Sequence, residues 1–303
     1  MRLLREFTLS VGAVGLVAIA SCGGTDQQPE WPDPSIVDRS ADDLGLPEPG
    51  GDESAESAEG GEDGGEETDA EPPPSPIRVV AGEHTAYEGR APTLRILAPQ
   101  NGATVRRGNV MLRVSLQRWS LAPDPGPHVH VIVDDEPYIA VRDVSQPIDL
   151  NALVQANLGH ELAEGTHVVR VFPSRGHHES VKSAGAFATV TFHYRTATEG
   201  FSFDASAPLL TYSRPKGCSV RGQRLLLDFF VSNATLAEDG HRVRFRIDES
   251  IEGDITSWVP HFIENLPVGS HTIELTLLDA SGAAVPGPFN APRRVIRVAD
   301  ACD

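Results

Sequence analysis

Several things are scarce in this 303-residue chain. It has three cysteines and two methionines, and aromatic residues make up 6%. Its longest apolar stretch, Leu9–Ala20, is 12 residues and is broken by Gly12 and Gly15. That is too short to cross a hydrocarbon core about 30 Å thick. There is almost no run with helical period, which excludes a helical bundle and points to strands. Catalytic signatures are missing too. The chain has no G-x-S-x-G elbow, H-E-x-x-H, P-loop or G-x-G-x-x-G. No cysteine is left over to pair with a histidine as a nucleophile. A basic footprint is also absent, since the net charge is −18, which argues against nucleic acid as a partner.

That charge is unevenly distributed. Residues 25–77 hold 17 acidic residues against Arg39 alone, a net of −16, while residues 78–303 carry −3. The stretch GGDESAESAEGGEDGGEETDAEPPPSP lacks aromatic and β-branched apolar residues. It cannot bury enough surface to offset ordering entropy, so residues 23–90 are expected to be a disordered acidic tether. Upstream, Arg2 and Arg5 precede the apolar stretch, and Ile19-Ala20-Ser21-Cys22 closes it. This order resembles the signal peptide and lipobox of bacterial lipoproteins. The resemblance implies that residues 1–22 are a leader and that Cys22 is the lipidated (palmitate-type) N-terminus. The partner would then be a membrane. Two acyl chains suffice for stable anchoring. Gly23 resembles the pattern of lipoproteins sorted to the outer membrane, so the expected location is the cell envelope.

An internal repeat sets the organisation of the rest. Gly102-Ala103-Thr104-Val105-Arg106 matches Gly217-Cys218-Ser219-Val220-Arg221. His128–Asp134 (HVHVIVD) matches Arg242–Asp248 (RVRFRID). Leu162-Ala163-Glu164-Gly165-Thr166-His167 matches Leu266-Pro267-Val268-Gly269-Ser270-His271. The offset drops from 115 to 104 residues, so the first unit has about ten extra residues near 150–161, where one helical turn is expected. Each unit shows short alternating strands split by turn residues, the pattern of a β-sandwich. The L-x-x-G-[ST]-H strand entry resembles the E–F corner of bacterial immunoglobulin-like and fibronectin-III-like domains. The fold class is therefore all-β, two tandem sandwiches at 91–196 and 207–303, of a kind used in binding and scaffolding. With Cys22 committed to lipid, Cys218 and Cys302 are expected to form a disulfide, because first and last strands of a sandwich can lie close.

The repeat also sorts candidate residues. His167 and His271 occur in both units, in phase with core positions, and should cap the core edge. Asp134 and Asp248, also shared, read as turn formers that bond backbone N–H groups. His128 and His130 belong to the first unit alone; Arg242 and Arg244 stand in their place in the second. Val129, Val131 and Val133 should face the core, leaving His128, His130 and Ile132 on the outer face. Phe172–Lys182 (FPSRGHHESVK) has no counterpart in the second unit. Together these give a candidate recognition surface of His128, His130, Tyr138, Arg175, His177, His178, Glu179 and Lys182, with Trp119 beside it, for an envelope protein or glycan.

Two other readings stand beside it. Two histidines at i, i+2 can ligate one metal, and His177 and His178, or His193, could supply further donors. The cofactor would be zinc or copper. A hydrolase would need a cleft at the junction near 196–208. The Arg242, Arg244 and Arg246 face reads as a salt-bridged sheet surface. The first expectation is a lipid-anchored binding protein without catalysis.

Overall fold

The structure, a computed structural model, describes residues 75–302 apart from Glu88. The expected leader, the lipidated Cys22 and residues 23–74 of the expected tether lie outside the described residues.

The first strand, β1 (Arg78–Ala81), lies inside the segment expected to be tether. The first unit follows with β2 (Thr93–Ala98), β3 (Ala103–Val105), β4 (Met111–Gln117), β5 (His128–Val133), β6 (Ile139–Val141) and β7 (Ile148–Asp149). Helix α1 (Leu150–Leu158), β8 (Gly165–Ser174) and β9 (Ala188–Tyr194) complete it. One sheet runs β2-β4-β7 and the other β3-β9-β8-β5-β6. Their facing sides enclose Leu112, Val131, Val171 and Phe192, all with no exposure. Strand β4 shows the driving pattern: Leu112 and Val114 are buried while Met111 and Arg113 are exposed.

The second unit repeats this plan with β10 (Leu209–Arg214), β11 (Cys218–Val220), β12 (Leu225–Ser232), β13 (Arg242–Ile247), β14 (Ile251–Ile255), β15 (His261–Glu264), β16 (Gly269–Leu278) and β17 (Arg293–Ala299). Its sheets run β1-β15-β12-β10 and β11-β17-β16-β13-β14. The chain is thus two tandem β-sandwiches. The disulfide expected between Cys218 and Cys302 is present, with Cα atoms 5.7 Å apart. It ties β11 to the end of the chain.

The repeated corner is built identically in both units. His167 Nδ1 meets Asp134 Oδ2 at 2.7 Å and Nε2 meets Ala163 O at 2.8 Å, while Val168 N donates to Asp134 Oδ1. His271, Asp248, Pro267 and Thr272 make the same set. The shared histidine therefore ties strand entry to the preceding turn.

Three features depart from the sequence-based expectations. The ten extra residues of the first unit are not a single turn but a nine-residue helix, α1, inserted after β7. Asp149 caps its start by accepting from Ala152 N, and Gly159 ends it at φ 79°. Second, the tether does not extend through residue 90. β1 pairs with β15 over four residues, and Ile77 and Val79 pack on the second unit's core.

Third, the outer face of the first unit, expected to be a free recognition surface, is largely covered by the second unit. The outer face of the β8/β5 sheet packs directly on the outer face of the β10/β12 sheet. Ile132, Tyr138 and Phe172 meet Phe230, and Val168 meets Leu209 and Phe289. Fully buried Arg170 lies over the Phe289 ring and donates to Thr211 Oγ1 and to the Asp134 carbonyl. Lys182 Nζ pairs with Asp228 Oδ1 at 2.6 Å, both side chains buried. The connector packs Phe201 and Phe203 against this seam. On the far side of the second unit, Arg242 and Arg244 share Asp254, and Arg246 meets Glu252 and Glu274, a salt-bridged face.

Candidate metal centre

Strand β5 places His128 and His130 on one face, as its period of two requires. That face was expected to meet solvent. Both histidines instead have 0% exposure: the loop bearing His178 closes over His128, and the second unit's Ser213 meets His130. The recognition surface read from the sequence is therefore largely an internal interface. Tyr138 and Glu179 are each 2% exposed, and Lys182 is spent on Asp228. Tyr138 stacks flat on the His130 ring at 3.6 Å, with Lys216 Nζ 4.0 Å from its centroid.

The loop after β8 folds back over β5. Arg175 N donates to Glu179 O, and His178 N to Arg175 O, closing a five-residue turn. His178 sits at φ 69°, a left-handed conformation that costs a side-chain-bearing residue energy. It aims His178 Nδ1 at His128 Nε2, 2.9 Å away. His130 Nε2 approaches the same His128 nitrogen at 3.0 Å. One ligand atom from each of the three rings lies within 4.8 Å of the others. The other histidines of the sequence reading lie elsewhere. His177 Nε2 binds Glu179 Oε2 at 3.0 Å, and His193 Nδ1 binds Thr166 Oγ1.

The outward nitrogens determine what the inward ones can do. His128 Nδ1 is 3.0 Å from the Gly126 carbonyl. A carbonyl only accepts, so in the tautomer that donates to it Nδ1 carries the proton and Nε2 turns a lone pair inward, whereas Arg142 Nη1, 3.2 Å from the same Nδ1, favours the opposite tautomer. Arg142 Nη1 donates to the same carbonyl and its guanidinium pairs with Asp124. His130 Nδ1 contacts Ser213 Oγ at 3.2 Å, across the seam from the second unit. Burial, reinforced by neighbouring cations, pushes His128 down to about 3 and His130 well below the ordinary histidine value. Both rings are neutral at physiological pH. One His128 lone pair is thus approached by two ring nitrogens, of which it can accept one N–H. A metal ion would accept a lone pair from all three.

Around the loop, burial raises the Glu179 carboxyl. His177, Lys182, Thr85 and Arg175 together outweigh that and hold it below its ordinary value. Arg175 lies near the Trp119 ring, 5.6 Å from its centroid.

No protein-family model and no curated protein matches the chain. Among solved structures, the fibronectin(III)-like modules of Clostridium thermocellum CbhA align at 12% identity with a TM-score of 0.24, over 68% of this chain and 94% of theirs. The SGBP-B protein of the Bacteroides ovatus mixed-linkage glucan utilization locus, in complex with a mixed-linkage heptasaccharide, aligns at 12% identity with a TM-score of 0.21. That alignment covers 70% of this chain and 71% of SGBP-B. The sandwich assignment rests on the strands and sheets of this chain.

Proposed function

We propose that the chain is a lipid-anchored, non-catalytic protein of the bacterial cell envelope that binds one transition-metal ion, zinc or copper, through His128 Nε2, His130 Nε2 and His178 Nδ1. The observation that carries the reading is the convergence of three imidazole nitrogens on one buried point. Two nitrogens bound tetrahedrally to one zinc at about 2.0–2.1 Å stand roughly 3.3 Å apart. The 2.9 and 3.0 Å separations need a small opening, and the third pair, up to 4.8 Å apart, must close to match that. The outer nitrogens support it too. Metal-binding histidines pass their second N–H to a carbonyl or other acceptor, as His128 can to Gly126 and His130 can to Ser213. Imidazole donors suit both zinc and copper. Export and anchoring are read from residues 1–22 alone.

Metal analysis of the untagged protein tests this. One zinc or copper per chain is expected, lost in His128→Ala and much weakened in His178→Ala, which keeps two of the three ligands. Protein that stays metal-free after incubation with either ion, or variants that keep full occupancy, overturns the reading. Anchoring is tested by Cys22→Ala, which should move the protein from the membrane to the soluble fraction.

A further inference from the structure

The segment between β1 and β2 crosses from the second unit to the loop that carries His178. Its start is fixed on the second unit. β1 pairs with β15, Asn265 Nδ2 donates to Pro76 O, and Gly82 N donates to Pro260 O. Gly82 passes so close to Phe262 that a Cβ there would lie 2.7 Å from the ring. Its continuation grips the first unit. Thr85 Oγ1 donates to Glu179 Oε2 at 2.9 Å. Arg175 Nη2 donates to Thr85 O at 2.6 Å and to Ala86 O at 3.0 Å.

Arg175 and Glu179 are the two ends of the turn that holds His178. They face each other, with Arg175 Nε 3.8 Å from Glu179 Oε1. The opposite side of the turn is wedged too, since a Cβ on Gly176 would collide with Pro125 O. Both ends of a strained turn are thus held by one strap. Without it, the left-handed His178 backbone has less to keep it in place, because such conformations persist only where surroundings over-determine them.

We propose that residues 82–87 form a strap that positions His178 for metal binding, with Thr85 and Arg175 as positioning residues. This rests on the metal reading above. The strap follows directly from the strand at which the N-terminal segment joins the fold, so displacing that strand from β15 would loosen the His178 ligand.

The test uses the full chain, stripped of metal and titrated with Zn²⁺ or Cu²⁺ against a competing chelator. Thr85→Val keeps the side chain's size and removes the donor to Glu179. It should weaken metal binding by up to about tenfold, the lower end of what losing a direct outer-shell partner costs, because Thr85 acts through the loop and not on a ligand ring. Thr85→Ser should restore it. Arg175→Lys, which keeps the charge but loses the two-carbonyl grip, should act in the same direction. In a His178→Ala background, Thr85→Val should have no further effect, since coupled positions are non-additive. The Cu²⁺ electron paramagnetic resonance spectrum of Thr85→Val should shift toward that of His178→Ala. Wild-type-like affinity in Thr85→Val, or an equal loss in the His178→Ala background, overturns the strap while leaving the metal reading standing. A wild-type chain that binds neither ion overturns the metal reading and the strap together.

Discussion

The eleven histidines divide by what surrounds each ring. His167 and His271 are structural, and the repeat made that visible, because each recurs with the same aspartate and the same strand entry. Burial lowers the His167 proton affinity, but the hydrogen bond and charge of Asp134, with the Ala163 carbonyl, raise it more, to a net value above the ordinary one. A raised folded-state pKa contributes stability that is complete below the unfolded value near 6.5 and is lost as pH rises through the folded value. The unfolding free energy of wild type minus that of His167→Gln, from urea titrations between pH 5.5 and 8.5, should therefore shrink as pH rises. A difference independent of pH would show that the pair contributes no protonation-linked stability. His128, His130 and His178 form the opposite class. Their residue types and the outward phase of His128 and His130 were readable from alternation. Their convergence was not, because it depends on a turn closed by Arg175 and Glu179 and on a left-handed residue within it.

Among the elements, strands with one wet face were fully legible, while the second dry face of strands such as β5 and β12 was not foreseen. β13 alternates, with its arginines toward solvent, and β4 alternates likewise. β12 reads Leu225-Leu226-Leu227-Asp228-Phe229-Phe230-Val231, and every one of these residues is buried. A continuous apolar run is what a strand covered on both faces requires. That run, with His128–Val133, was the available signal for the seam between units. Helix α1 shows how the extra residues of the first unit are accommodated, with Leu150 and Val154 turned to the core. Asp149→Ala removes its cap and should lower stability by about 1 kcal/mol in urea unfolding, with the strands' circular-dichroism signal unchanged. β1 escaped the sequence reading because it is four residues at the end of an acidic low-complexity stretch. It is a strand because the edge of β15 offers unpaired backbone groups to it.

At the scale of the molecule, stacking the sandwiches places charged groups between them. Asp228 accepts from Ser180 N, Ser180 Oγ and Lys182 Nζ. Asp228→Ala should cost about 3–5 kcal/mol, because it leaves a buried ammonium without its counter-charge. Asp228→Ala combined with Lys182→Met should recover part of that loss in the same urea titration. Equal losses in the single and double variants would show that the pair is not what holds this seam. The Cys218–Cys302 bridge closes an 84-residue separation and pins the chain's end beside β11. Cys302→Ser should lower stability by about 4 kcal/mol on the loop-entropy model.

Composition, alternation and the repeat by themselves determined the all-β class, the two units and the shared corner residues. Each of these depends on local spacing, or on a pattern written twice in the chain. Only the tertiary structure decided that the two sandwiches stack face to face. That stacking buried His130 against Ser213, while the loop bearing His178 closed over His128. It also let residues 82–87 grip the loop bearing His178. Such contacts join residues more than 90 positions apart through loops whose paths depend on what they pack against, and no periodicity along the chain records that.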